Sequence, residues 1–254
     1  MAPRTERRPP PSNREERQLS ASAAAEEDRQ ELISSAASSL RHPLTRTLLA
    51  LTFTTGLIDG VSYLGIGHVF TANMTGNIVL LGFGIAGSGG LPVIAPLVSL
   101  GAFLLGAGAG GLLGAGLAED LRRHLATAIA IEAALMAGAT ALAAAVEIHP
   151  NAFSGDALIA VLALAMGVRN ATVRKIAVPD LTTTVLTMTL TGLAADSPLF
   201  GGSGKGSARR TAAVAALLAG AVAGGLLLQI SLAVPIAGAG VIALAALLSY
   251  RPIR

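Results

Sequence analysis

The chain has 254 residues, of which 52% are hydrophobic and only 13% are charged, and its mean hydropathy is +0.66. This composition excludes an ordinary soluble domain and is typical of an integral membrane protein, so the lipid bilayer is the expected surrounding. The 18 basic residues exceed the 15 acidic ones only slightly and lie mostly in the tail and at helix ends, which argues against a nucleic-acid partner.

Residues 1–45 are predicted to form a disordered tail on the cytoplasmic side. Positions 1–46 carry 15 of the 33 charged residues (18 basic plus 15 acidic), together with several prolines. The tail lacks the apolar stretch and small-residue cleavage site of a signal peptide. We therefore expect it to remain attached to a transmembrane domain of residues 46–250.

Eight apolar segments follow the tail. They cover residues 47–66, 71–87, 92–118, 125–146, 157–173, 181–195, 211–232 and 234–250. A helix that crosses about 30 Å of hydrocarbon needs about 20 residues. The second and sixth segments are therefore short for a span, and both are rich in Thr or Asn near their starts. The pattern predicts an all-α polytopic membrane protein.

The distribution of Lys and Arg favours six spans over eight. If all eight segments cross with the tail inside, four cations fall outside: Arg122, Arg123, Arg174 and Lys175. If the second and sixth segments instead enter and return on the same side, these four join the remaining loop cations on the inside. Basic residues in short loops set orientation, so this interpretation is preferred, and eight full transmembrane helices stay open as the alternative.

An internal repeat supports the six-span interpretation. The sequence of residues 56–59 (GLID) aligns with residues 167–170 (GVRN) at an offset of 111 residues, and residues 75–77 align with residues 187–189 at an offset of 112. The following span of each half has glycines at four-residue spacing: Gly106, Gly110 and Gly114, then Gly220 and Gly224.

The halves, about 46–147 and 156–250, would each contain three spans plus one short re-entrant or half helix. Because three crossings is an odd number, the second half would be inverted relative to the first. Inverted repeats of this kind recur in transporters, where broken helices meet near the midplane.

Asp59 is the strongest single candidate for a functional residue. It lies about 12 residues into the first span, where an isolated carboxylate is costly and is normally paired, protonated or directed at a cavity. Arg169 is one position from the counterpart of Asp59, which makes an Asp59–Arg169 ion pair the favoured hypothesis. The alternatives are a structural, hydrogen-bonded Asp59 and an Arg169 that extends to the interface beside Arg174. Glu132 is a weaker candidate because it lies only about two turns from Arg123.

The two short segments are expected to begin as helices inside the membrane, with their positive dipole ends directed at a shared site. Such a site suits an anionic or strongly polar solute. In the alternative, the Thr side chains bond carbonyl oxygens of their own helices. The candidate substrate or transport residues are Asp59, Asn73, Thr75, Asn77, Arg169, Asn170, Thr184 and Thr187. Of these, Asp59, Asn77, Asn170 and Thr187 are expected to converge on one polar cavity near mid-membrane.

Other kinds of chemistry have no support in the sequence. The chain has no Cys, and its four His residues are dispersed without metal-ligand spacing. We expect no catalytic residues, no metal and no cofactor, and therefore no enzyme. The stripe of Gly106, Gly110 and Gly114 is expected either to pair two copies in a homo-oligomer or to seal the two halves of one chain.

Four stretches resemble the YoaK-like family of bacterial inner-membrane proteins, whose function is unknown. They are residues 56–64 (GLIDGVSYL), 70–78 (FTANMTGNI), 167–171 (GVRNA) and 180–187 (DLTTTVLT), within a resemblance over about 45–250. The resemblance implies a multi-pass protein of the inner membrane. It also implies Gln at the position of Arg169, which points to Asn170 as the more general partner of Asp59.

The expected function is that of a small-solute permease or channel of the bacterial cytoplasmic membrane, with a small anion or polar metabolite as the solute. The alternative is a non-transporting membrane scaffold or sensor, whose polar residues only hold helices together.

Overall fold

The computed structural model describes residues 40–117, 120–176 and 186–249. Most of the predicted tail and the candidate Thr184 lie outside these ranges. Within them the chain contains eight α-helices and no strand, which confirms the all-α prediction. The helices are α1 (Pro43–Ser62), α2 (Met74–Ile85), α3 (Ile94–Gly116), α4 (Leu121–Ala145), α5 (Phe153–Ile176), α6 (Leu186–Ala195), α7 (Ser207–Leu228) and α8 (Ala233–Ser249).

Five helices in the described ranges are long and apolar enough to cross a membrane: α1 with the π-helical turn that extends it to Gly67, then α3, α4, α5 and α7. Helix α8 has 17 residues, and α2 and α6 have only 12 and 10. At 1.5 Å per residue, α2 and the described part of α6 measure about 18 and 15 Å, roughly half of the hydrocarbon thickness.

Local sequence signals account for several helix starts. Helix α1 has Pro43 in its first turn, and the Nδ1 atom of His42 accepts a hydrogen bond from the backbone N–H of Leu44 at 3.2 Å. At the start of α4, the Asp120 carboxylate accepts from the N–H of Arg123 at 2.9 Å. These side chains satisfy backbone donors that a first helical turn leaves without a partner.

Two clusters of buried apolar residues mark the two ends of the bundle. One cluster joins the first turns of α1, α4 and α7 to the last turns of α5 and α8, through residues that include Leu44, Leu125, Ala213, Val173 and Ala243. The other joins the end of α1 to the starts of α3, α5 and α8, through Val61, Ala95, Leu158 and Ile236. Helices α1, α4 and α7 therefore run in one direction, and α3, α5 and α8 run in the other.

These directions distinguish between the two topologies. Helices α1 and α3 are antiparallel although α2 lies between them in the chain, and α5 and α7 are antiparallel around α6 in the same way. A crossing by α2 or α6 would have made their neighbours parallel. The described helices thus follow the six-span arrangement and do not fit the eight-span alternative.

The two halves of the chain contact each other mainly through α3 against α5 and through α7 against α1. A methyl group added at Gly106 would overlap the carbonyl oxygen of Leu164, and one at Gly220 would overlap that of Phe53. The same relation holds one turn later, between Gly110 and Val168 and between Gly224 and Leu57. Glycine permits this close approach of helix backbones.

The glycine stripe of α3 is therefore occupied by α5 of the same chain. This corresponds to the second of its two expected roles, the sealing of the two halves. Association of two copies stays a prediction, and in this geometry it would use other surfaces.

Candidate functional site

A cavity of about 840 Å³ lies between α1, α7 and the two short helices α2 and α6. Its apolar wall includes Leu64, Val79, Leu190 and Leu217. The polar residues that line it are Thr55, Asp59, Tyr63, Asn73, Thr75 and Thr187. Four of the predicted site residues are thus brought to one cavity from three helices and one helix cap.

Asp59 holds the chain reversal that precedes α2. After the π-helical turn of Tyr63–Gly67, His68 takes a left-handed backbone conformation with φ of 54°, and the chain turns back towards α1. The Oδ1 atom of Asp59 then accepts hydrogen bonds from the backbone N–H groups of Thr71 at 2.9 Å and Ala72 at 2.8 Å. The Thr71 hydroxyl lies 3.4 Å from the same oxygen. The carboxyl group therefore fixes the loop in front of α2 and also forms part of the cavity wall.

Asn73 is the N-cap residue of α2. Its Oδ1 atom accepts from the N–H of Gly76 at 3.2 Å. Asn73 and the neighbouring Thr75 both line the cavity, so the N-terminal end of α2 points into it.

Asn77 is fully buried on the other side of α2 and is not one of the residues that line the cavity. It exchanges two hydrogen bonds with the backbone of Phe70, at 2.8 and 2.7 Å, and donates to the Ser99 hydroxyl at 3.0 Å. Ser99 in turn donates to the carbonyl oxygen of Phe70 at 2.6 Å. Asn77 therefore secures the loop against α3. Sequence reasoning did not select Ser99, although it is the one hydroxyl-bearing residue of α3.

The predicted Asp59–Arg169 ion pair is wrong, because Arg169 pairs with Glu132. The Nε atom of Arg169 donates to Glu132 Oε2 at 2.8 Å, and its Nη2 atom donates to the second carboxylate oxygen. Arg169 does not extend to the interface, since it is only 2% exposed. Its remaining nitrogen, Nη1, donates to the carbonyl oxygen of Leu51 and to Thr55 Oγ1, both at 2.9 Å.

The alignment of the two halves and the geometry of the α-helix together explain why Arg169 does not reach Asp59. Arg169 aligns with Ile58, which is fully buried in the apolar core, and Asn170 aligns with Asp59. Adjacent residues of an α-helix point about 100° apart. Arg169 therefore takes the inward direction of Ile58, towards α4 and α1, and not the direction of Asp59.

Asn170 is not among the cavity-lining residues either, and its Nδ2 atom donates to the carbonyl oxygen of Met166 at 2.9 Å. Thr187 lines the cavity, and its carbonyl oxygen accepts from the Thr191 hydroxyl at 2.9 Å, which is the intrahelical bonding given as the alternative role of Thr. The expected convergence of four residues is thus seen for Asp59 and Thr187 and not for Asn77 or Asn170. Thr184 lies outside the described residues.

Thr55 connects the ion pair to the cavity. It accepts from Arg169 on one side and lines the cavity on the other, one helical turn before Asp59. The sequence offered little to select it among the five Thr residues of α1, of which Thr52 and Thr54 bond carbonyl oxygens of their own helix.

The fold and this site define a polytopic α-helical membrane protein with ionisable side chains inside its helix bundle. Residues 47–249 match the family described as "Protein of unknown function (DUF1275)", and the chain belongs to this family. It is similar to the UPF0700 transmembrane protein YoaK of Bacillus subtilis (strain 168), with 37% identity over 156 residues, which confirms the resemblance found in the sequence. That match covers 59% of this chain and 66% of the relative, just under two thirds of its length. No solved structure matches the chain.

Proposed function

We propose that the protein is a small-solute permease or channel of the bacterial cytoplasmic membrane. The observation that carries the proposal is the placement of Asp59, a carboxylate within a membrane helix, in the wall of a cavity of about 840 Å³. Ionisable residues inside membrane proteins are costly and mark solute or proton pathways, and concave sites of this volume fit small molecules. The proposal involves transport without chemical change and assigns no catalytic residue.

An inverted repeat is part of the proposal. The C-terminal end of α2 lies at the start of α3, because a methyl group at Gly84 would lie 2.9 Å from the carbonyl oxygen of Pro92. The C-terminal end of α6 lies at the start of α7, where Arg210 donates to the carbonyl oxygen of Gly192 and to Asp196, both at 2.7 Å. Helices α3 and α7 start at opposite ends of the bundle, so the two short helices enter from opposite faces. Short helices that enter from opposite faces are a feature of transporters with inverted repeats, and they support this part of the proposal.

The same geometry supports a cytoplasmic N-terminus. Cations of the terminal helical turns gather at the end of the bundle where α1, α4 and α7 start and α5 ends, and they include Arg46, Arg122, Arg174 and Arg209. Short loops rich in Lys and Arg face the cytoplasm. This end, and with it the tail, is therefore assigned to the inner side of the membrane.

A non-transporting scaffold or sensor is the second candidate, and the Glu132–Arg169 pair favours it. Both side chains are only 1% exposed, and they bond each other and α1. Such a pair needs no solute, and it holds three helices in register.

A flux screen in proteoliposomes tests the proposal. Purified protein is reconstituted and assayed for uptake of radiolabelled small cations, anions and neutral polar metabolites, beside an Asp59→Asn variant and a Glu147→Gln control. Glu147 is an exposed acid outside the helices. We expect saturable uptake of at least one solute, lost in Asp59→Asn and kept in Glu147→Gln. Uptake no higher than in empty liposomes for every solute class would favour the scaffold.

A further inference from the structure

We infer that the cavity binds a small organic cation, a protonated amine with a short alkyl group. This inference names the solute class of the proposed permease and rests on that proposed function. The feature that carries it is the placement of the Asp59 carboxylate beside two aromatic rings, those of Tyr63 and Phe70, in one cavity wall.

The charge of the cavity favours a cation. Among the described residues that line it, Asp59 is the only acid, and none is Lys, Arg or His. The guanidinium group of Arg169 lies behind Thr55 and is neutralised by Glu132. Inside a low-dielectric helix bundle, an ionised Asp59 therefore gives the cavity a negative potential that a cation would neutralise.

Two backbone donors in front of α2 that could have bound an anion are already used. The N–H groups of Thr71 and Ala72, in front of α2, donate to Asp59. An anion at this end of α2 would lie near the Asp59 carboxylate and would be repelled by its charge. The sequence predicted a small anion or polar metabolite from helix dipoles, whereas the charge of the cavity lining favours a cation.

The aromatic rings favour an organic cation over a metal ion. Tyr63 lies one helical turn after Asp59, and its ring stacks on that of Phe70 with centroids 5.0 Å apart. Aromatic rings attract ammonium groups, whereas Mg²⁺ and Ca²⁺ need several oxygen ligands. The adjoining apolar side chains of Leu64, Val79 and Leu190 can bury an alkyl chain.

Tyr63 also provides an optical reporter for the test. The chain has two Tyr residues, Tyr63 and Tyr250, and no Trp. A Tyr250→Phe background leaves Tyr63 as the single tyrosine, so its fluorescence reports on the cavity. The detergent-purified full-length protein is titrated at pH 7 with pentylammonium, butyramide and butyrate, which have equal numbers of non-hydrogen atoms and differ in charge.

We expect pentylammonium to change the Tyr63 emission saturably, at a concentration about tenfold lower than butyramide or butyrate requires. Asp59→Asn should remove this preference, while Glu147→Gln should keep it. Phe70→Leu leaves the carboxylate in place and should weaken pentylammonium binding several-fold more than butyramide binding. Size-exclusion elution checks that each variant is folded.

Two results would overturn the inference: butyrate or butyramide binding as tightly as pentylammonium, or an unchanged ammonium preference in folded Asp59→Asn. The binding and flux assays distinguish failure of the cation site from failure of the proposed permease function. Ammonium binding without any flux would remove the permease and keep the cation site, whereas flux of an anion without ammonium binding would keep the permease and remove the cation site.

Discussion

Arg169 in α5 donates to both carboxylate oxygens of Glu132 in α4, and both side chains are only 1% exposed. Through Nη1 the same guanidinium group reaches Leu51 and Thr55 of α1. One buried ion pair therefore connects three helices, α1, α4 and α5. The removal of one partner leaves an uncompensated charge, while the removal of both leaves none.

The first prediction compares these two cases. Glu132→Gln or Arg169→Gln alone should lower the free energy of unfolding by about 3–5 kcal/mol. The double variant Glu132→Leu/Arg169→Met should recover most of that loss, because apolar side chains of similar volume avoid the desolvation cost. Unfolding in mixed micelles measures all four proteins. Additive losses in the double variant would show that the two groups do not act as a pair.

The second prediction concerns the structural role of Asp59. Asp59→Leu removes the acceptor of the Thr71 and Ala72 N–H groups and should cost about 1–3 kcal/mol, since buried donors are left unsatisfied. Asp59→Asn keeps a carbonyl oxygen and should cost less. Thermal unfolding in detergent separates the two. Equal melting temperatures for both variants would mean that these hydrogen bonds do not hold the loop before α2.

The third prediction tests the close packing of α3 on α5 and of α7 on α1. Gly106→Ala and Gly220→Ala should each destabilise the protein by about 1–3 kcal/mol or more, because the methyl group would overlap a backbone carbonyl of the facing helix. Gly108 and Gly111 are matched controls on the same helix as Gly106, with open space at the Cβ position. Alanine there should be neutral or stabilising, since alanine favours helix. Similar effects at Gly106 and Gly108 would contradict the packing of α3 on α5.

The fourth prediction concerns topology. The chain has no Cys, so single cysteines can be introduced without background. Cysteines at the exposed positions Ser88 and Asn151 should react with an impermeant thiol reagent added to whole spheroplasts, and one at Ser203 should react only after lysis. Labelling of position 151 without position 88 would mean that α2 crosses the membrane.

Most of the fold could be predicted from the sequence, because hydrocarbon imposes strong rules on length and charge. A membrane helix needs about 20 apolar residues and its flanking cations face inwards. These rules located all eight helices and identified α2 and α6 as too short to cross. The glycines at four-residue spacing similarly indicated where helix backbones approach closely.

The partners within the site were harder to predict, because they depend on the rotation of each helix about its axis. The sequence suggested Asp59 as the partner of Arg169, whereas the direction of the Arg169 side chain brings it to Glu132. If two helices are aligned with an error of one residue, the predicted direction of each side chain changes by about 100°. Ser99 was missed for a related reason, since its role depends on how the loop containing Phe70 folds back against α3.

The contact of α7 with α1 also constrains how the protein is made. The ribosome delivers α1 first, and the groove at Gly56 is filled only when the segment containing Leu217 has entered the membrane near the end of synthesis. Until then, the surface of α1 that contacts α7 is exposed to lipid or to the insertion machinery. A chain truncated after α4 would lack α7 and α5, which are the principal packing partners of α1 and α3, and quality-control proteases would meet an unassembled intermediate.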